Sequence, residues 1–305
     1  MKYSNEVYKI KDLFNVNCPD TCVSRIITDL ASMDRDYVPA VHDHWYSDTL
    51  KDLLNYLADP HGEALYISGA TGNGKTSLIV ETAARLNWPC ISINANRNMT
   101  TEDLIGTYRS GRDGEVFCEG PLLKAALRGY IFVLNGAEQL ADDVVAVLKD
   151  IVEQQKILIC NGQDIVHVNK IFRLVFTGSA CEVEQGQSCE NGLLDICRIC
   201  KVPTPAEKDF KAIIGLKFPD LFPQEKDILT DALCGFQKIG AFKHLINIRL
   251  ALKWAGLYRQ SRNGSDNPFH KALDRAVLFR MAEPDRNIWY KTLDKILVDK
   301  GIKKP

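Results

Sequence analysis

No stretch of these 305 residues stays apolar for anything near the ~18 positions that a membrane-spanning helix needs. A helical membrane protein is therefore not expected. No apolar segment follows the charged opening MKYSNEVYKIKDLF, so a secretory leader is not expected either, and the chain is assigned to the cytoplasm. There its ten cysteines are expected as free thiols. Net charge is almost absent too. Lys and Arg number 38 and Asp and Glu 39, leaving −1, so no global field calls for nucleic acid or an anionic membrane. The basic C-terminal stretch KDKGIKKP reads as a solvated tail. Internal repeats and low-complexity tracts are missing. What is present, 46% hydrophobic and 25% charged residues, is the composition of an ordinary globular chain with room for one large or two modest cores.

Residues 1–47 read as an N-terminal arm of short amphipathic pieces, VYKIKDLFNV and VSRIITDLASM, around NCPDTC. SDTLKDLLNYLADP then reads as a helix. Ser47 is its expected cap, Leu50, Leu53, Leu54 and Leu57 form its apolar stripe, and Pro60 follows its end. Between residues 48 and 204, apolar runs alternate with helical patterns. EALYISG, CISIN, YIFVL, FRLVFTGS and ICRICKV are the expected strands. TTEDLIG opens with a capping-box spacing, and GPLLKAALRG is bracketed by glycines with Pro121 in its first turn. TYRSGRDGEVFCEG and KILICNGQDIVHV both read as hairpins, the second about Asn161-Gly162. Apolar strands alternating with helices predict an α/β core with a parallel sheet covered on both faces. From 205 to 305 the periodicity is helical throughout, which predicts a small all-helical domain.

One motif carries clear chemistry. GATGNGKTS, Gly69 to Ser77, has the full Gly-x-x-x-x-Gly-Lys-Thr spacing, after an expected strand and before an expected helix. Such a loop turns its backbone N–H groups inward, and the following helix adds its partial positive charge, so the loop suits a polyphosphate. Gly69, Thr71, Gly72, Asn73, Gly74, Lys75, Thr76 and Ser77 are the candidate ATP-binding residues. Lys75 would reach the β- and γ-phosphates, and Thr76 would ligate Mg²⁺ through its hydroxyl.

Two weaker cues concern metals. Cys181, Cys189, Cys197 and Cys200 lie within twenty residues, which allows a zinc reading. Against it, ICRICKV looks like a buried strand, where residues three apart point to opposite faces. His42-Asp43-His44 has no third ligand at a useful spacing and reads as a surface loop.

Taken together, DYVP (Asp36 to Pro39), GATGNGKTS, AARLNWPC, NMTTEDLIGTY, FCEGPLLKAALRG and FRLVFTGS resemble the AAA+ ATPases of the MoxR group, in the branch of the cobaltochelatase ATPase subunit. The resemblance spans about residues 8 to 295. It implies a P-loop NTPase core followed by a helical lid, a hexameric ring, and a partner protein, in this group often one with a von Willebrand factor A domain. It also implies that the two hairpin segments lie near the ring's pore. INIRLALKWAG matches the family's lid segment, which places Arg249 on the sensor-2 arginine with Ile248 where the family has proline.

The chain departs from that pattern where catalysis is concentrated. The acidic pair after the third strand is Asn135-Gly136. Asparagine could still hydrogen-bond a metal-bound water, but it carries no charge, and glycine offers no side chain to place the attacking water. Glu138 could swing in as a substitute; the reading preferred on sequence is a surface loop residue. Ser179 or Thr177 falls at the sensor-1 place, and Ile196 at the arginine-finger place. Arg198 is then either a displaced finger or an edge-strand arginine. The expectation is a nucleotide-binding protein with slow or absent hydrolysis.

Overall fold

The computed structural model describes residues 1–16, 22–111, 114–159, 164–179, 192–239, 245–264 and 266–302. The chain divides into two units. The first comprises Met1–His42, Tyr46–Gly69 and Lys75–Val202; the second comprises Asp43–Trp45, Ala70–Gly74 and Pro203–Pro305.

In the first unit, helix α1 (Thr49–Ala58) leads to strand β1 (Ala64–Ser68), helix α2 (Lys75–Arg85) and strand β2 (Cys90–Asn94). Helix α3 (Thr101–Ile105), the strand pair β3 (Gly106–Gly111) and β4 (Gly114–Glu119), and helix α4 (Pro121–Arg128) follow. Strand β5 (Ile131–Asn135) precedes helix α5 (Asp142–Gln154) and the strand pair β6 (Lys156–Ile159) and β7 (Asp164–His167). Strands β8 (Arg173–Gly178) and β9 (Cys197–Lys201) complete the unit.

The five apolar runs form one sheet in the order β9-β1-β8-β5-β2, with every neighbouring pair parallel. Strands buried on both faces cannot alternate polar with apolar, which is why these runs are nearly continuous in the sequence. One face packs Tyr66, Phe132, Leu134 and Phe176 against Leu104, Leu122, Leu123, Val144 and Leu148 of α3 to α5. The other packs Leu65, Ile67, Val133 and Val175 against Leu53 and Leu57 of α1 and Leu78 and Ile79 of α2. The expected α/β class with a parallel sheet is what the chain adopts.

The arm contributes to the second of these faces through Phe14 and Ile27, which are fully buried there. It forms two small antiparallel ladders, Lys2–Tyr3 with Ile27–Thr28 and Tyr8–Lys9 with Val23–Ser24, beside a one-turn helix, Ile10–Phe14. Tyr37 of the DYVP stretch accepts from Cys90 N–H at 2.8 Å, so the arm satisfies a backbone donor on the edge strand β2. Buried Arg173 ties these parts together. Its guanidinium donates to the Leu57, Lys170 and Phe172 carbonyls and to Tyr3 Oη at 2.8–3.1 Å. It also lies over the Trp88 ring.

Both hairpins form. Residue 108 faces 117 in the first, and Leu158 faces Ile165 in the second, whose turn residues Asn161 and Gly162 lie outside the described residues. Thr100 caps α3, and the reciprocal bond from its own N–H to Asp103 completes the capping box. One capping expectation is corrected. The side chain of Ser47 does not cap α1; the N-cap is Asp48, without a side-chain cap bond. Ser47 contributes its carbonyl to Leu50 N–H instead, and the hydroxyl of Thr49 donates to the Lys201 carbonyl.

The second unit holds helices α6 (Glu207–Lys217), α7 (Pro223–Gln237), α8 (Ile248–Ser261), α9 (Pro268–Ala276) and α10 (Glu283–Asp299). Their apolar stripes close over Phe236, Trp254 and Trp289, with the Phe236 and Trp289 rings stacked at 4.3 Å. No strand occurs among the described residues from 205 onward. No helix among the described residues is long and apolar enough to cross a membrane.

Candidate functional site

Strand β1 delivers the chain to the loop, and Gly69 makes the exit possible. A Cβ at Gly69 would stand 2.9 Å from the Val202 carbonyl oxygen, so a side chain there would collide with the backbone of the edge segment. Lys75 opens α2, and its Nζ donates to the Gly69 carbonyl at 2.7 Å. This brackets the loop with its own cation. Thr71 and Ser77 are exposed. Asn73 is buried, and among the described residues neither atom of its amide has a hydrogen-bond partner. A buried amide left unpaired is costly, so Asn73 is a loop group with unused donors and acceptor.

In the second unit, Asn247 caps α8 by accepting from Leu250 N–H, and Arg249 N–H donates to the Gly72 carbonyl at 3.1 Å. Gly72 has φ of +85°, and a Cβ on it would fall 2.8 Å from Asn247 Cγ. Arg249 is exposed in the first turn of α8, and its guanidinium has no partner among the described residues.

Thr76 meets the end of β5 in the first unit. Thr76 Oγ1 donates to Asn135 Oδ1 at 2.6 Å, and Thr177 Oγ1 donates to the same oxygen at 3.1 Å. Asn135 Nδ2 donates to Ser92 Oγ at 2.9 Å and to the Ile93 carbonyl at 3.2 Å. A primary amide has two N–H donors and an oxygen with two lone pairs, so this hub is saturated. The Ile93 carbonyl accepts only, which fixes which end of the amide faces it. In this arrangement all of its hydrogen-bonding capacity is taken by protein groups.

Gly136 follows in the left-handed region, with φ +71° and ψ +43°, and its N–H donates to the Thr177 carbonyl at 2.7 Å. The chain then enters a 3₁₀ turn, Ala137–Gln139. Thus more than a side chain is missing at this position, since the backbone takes a path that favours glycine. Glu138, which the sequence suggests as a surface loop residue, is half-buried in this turn. Its Oε2 is buried without a hydrogen bond among the described residues and would lie 2.8 Å from a Cβ on Gly178. That position belongs to the face of β8 opposite Thr177, because successive strand residues alternate sides. Glu138 and the Asn135 hub therefore lie on opposite faces of the sheet.

The remaining candidates fall elsewhere. Ser179 follows β8, half-buried, and the structure gives its hydroxyl no partner among the described residues. Arg198 lies on the edge strand β9 opposite Leu65, and its guanidinium is held by Glu63 at 3.2 Å. It is three residues upstream of Lys201, which faces Ser68 at the loop end, or ~10 Å along the strand. Ile196 is packed into the core. Cys197 and Cys200 pack on opposite faces of the sheet, so this pair cannot grip one ion; Cys181 and Cys189 lie outside the described residues. Burial, aided by the Asp52 carboxylate, pushes the Cys200 thiol up to about 12. His42 donates its N–H to buried Glu81 at 3.0 Å, and its ring meets the same carboxylate at 3.1 Å. No group of three or more His, Cys, Asp or Glu is gathered as a metal site among the described residues.

Sequence reasoning does not anticipate Ser92, the Ile93 carbonyl or Arg173. Ser92 carries a signal of sorts. It lies two positions before the end of the expected strand CISIN, on the same face as Asn94.

Residues 64–197 match the family described as AAA domain (dynein-related subfamily). Among curated relatives, the aerobic cobaltochelatase subunit CobS of Sinorhizobium sp is 26% identical over 184 residues, 55% of this chain and 55% of that protein. The denitrification regulatory protein NirQ of Stutzerimonas stutzeri is 31% identical over 96 residues, 32% of this chain and 35% of that protein. The matches thus span about half and about a third of these relatives. Among solved structures, a point mutant of RuvB from Thermotoga maritima superposes with a TM-score of 0.54 at 13% identity, covering 87% of this chain and 86% of that one, a likeness of fold. Residues 64–197 thus match an AAA domain of the dynein-related subfamily, and parts of the chain are similar to CobS and NirQ.

Proposed function

We propose that this chain binds ATP through its Gly69–Ser77 loop and hydrolyses it slowly or not at all. Bound nucleotide then acts as a ligand that sets conformation or assembly, by favouring whichever state holds it more tightly. The proposed architecture is an arm (1–47), a nucleotide-binding core (48–204) and a helical lid (205–305) that offers Arg249. The proposed setting is a ring, hexameric by analogy, acting on a partner protein such as one with a von Willebrand factor A domain.

One observation carries this reading. The two positions at the end of β5 that hydrolysis needs as carboxylates are a saturated amide, Asn135, and a glycine in the left-handed region, Gly136. Without a group to orient water, the triphosphate is held but not attacked. Lys75, Thr76 and the glycine spacing of the loop, by contrast, are retained in the sequence, which supports phosphate binding. Phosphate release and ATP binding should be measured on the same purified protein. Binding with negligible release is expected. Sustained turnover that Lys75→Ala abolishes would sink the proposal.

A second reading, an active remodelling ATPase using Glu138, is favoured by the buried Oε2 of that residue, which has no hydrogen bond among the described residues. It requires the carboxylate to leave the face of β8 on which it lies. Under this reading Glu138→Gln removes turnover; under the first it changes nothing measurable.

A further inference from the structure

We infer that this site binds free ATP about as tightly as its magnesium complex, and that Asn135 is what makes binding independent of the metal. This rests on the nucleotide-binding reading above. In a P-loop site the cation is carried largely by phosphate oxygens. The protein adds one hydroxyl and, through ordered water, a carboxylate that compensates the cation's charge.

Here the hydroxyl is present. Thr76 gives its proton to Asn135, and its oxygen keeps lone pairs that fit a cation. The charge is absent. The groups bonded to the Asn135 amide are two hydroxyls of threonine, one of serine and a backbone carbonyl, all neutral. All four hydrogen-bonding positions of the amide are occupied, so it has nothing to offer a metal-bound water. The nearest acidic side chain along the chain, Glu138, is turned to the other face of the sheet.

The neutral residue is also what its neighbours require. An aspartate would set a carboxylate oxygen against the Ile93 carbonyl, where the amide now donates at 3.2 Å. The site therefore has the cationic and backbone groups that recognise a triphosphate and lacks the group that rewards the metal. Residues that hold a metal's ligands in place are commonly worth about 10- to 100-fold in metal affinity, and the missing carboxylate would act in that way.

The test is the affinity of the full chain for ATP, measured calorimetrically in excess Mg²⁺ and again in EDTA. The two constants are expected to agree within about fivefold, below that usual effect. A larger weakening in EDTA overturns the inference while leaving nucleotide binding intact. Absence of binding in both buffers removes the nucleotide reading itself, and this inference with it. In Asn135→Asp the Mg²⁺-to-EDTA ratio is expected to rise above that of the wild type. An unchanged ratio in a folded variant shows that Asn135 is not the determinant. Should the variant fail to fold, the wild-type ratio decides alone.

Discussion

Under the proposed reading, Gly136 differs from a catalytic carboxylate by more than a missing side chain. With φ at +71°, any other residue placed there accepts a left-handed conformation costing about 1–3 kcal/mol. There is space, since the nearest atom to a Cβ is Gln139 Nε2 at 3.7 Å. Gly136→Glu is therefore expected to fold, to lose about 1–3 kcal/mol in urea melts, and to gain no phosphate release because Asn135 stays saturated. Cys200 supplies a second prediction at this scale. Its thiol titrates at about 12, against an ordinary value of 9.0, because burial disfavours the thiolate. At pH 8 the reactive thiolate is then on the order of 10⁻⁴ of the total. Iodoacetamide at pH 8 should leave Cys200 unmodified in the folded protein, as read by peptide mass spectrometry. By the same sign, this thiol contributes stability that is intact below pH about 9 and is lost as pH rises toward about 12.

At the scale of elements, local signals are the legible ones. The Thr100–Asp103 capping box, Pro121 in the first turn of α4 and the two hairpins depend on neighbours within a few residues, so sequence spacing reveals them. The start of α1 differs from expectation because Thr49 sends its hydroxyl to Lys201, a partner distant in sequence. The junction of α3 with α4 is legible as a pair of glycines, though not in its tightness. A Cβ on Gly120 would lie 2.3 Å from the Leu104 carbonyl oxygen, and one on Gly106 2.2 Å from the Cys118 carbonyl oxygen. Neither neighbour is the end of a flexible side chain. Gly120→Ala is expected to cost at least about 1–3 kcal/mol in a denaturation experiment and to speed hydrogen exchange across β3 and β4.

Across the larger unit, Arg173 is the contact that no sequence pattern announces. A charged residue opening a strand suggests a solvated end. In the fold it is buried, and it joins the arm at Tyr3, α1 at Leu57 and the chain just before β8. Arg173→Met keeps much of the volume but leaves buried carbonyls without donors. It is expected to lose about 2–4 kcal/mol and to make the arm an early site of limited proteolysis.

Whatever is contiguous could be read from the residues alone. The glycine loop with its lysine and threonine, the five apolar strands and the helical C-terminal stretch each declare themselves within a dozen residues. The identities Asn135 and Gly136 are readable there as losses. What those residues bond to is decided by the three-dimensional arrangement. Strand order 5-1-4-3-2, in chain order of the sheet strands, brings Ser92, Asn135 and Thr177 from three strands beside Thr76. The turn after β5 sets Glu138 beside Gly178, on the face opposite Thr177 and the hub. Those outcomes hang on pairings between segments up to a hundred residues apart, whose register is chosen by burial of both sheet faces at once. No local pattern carries that information.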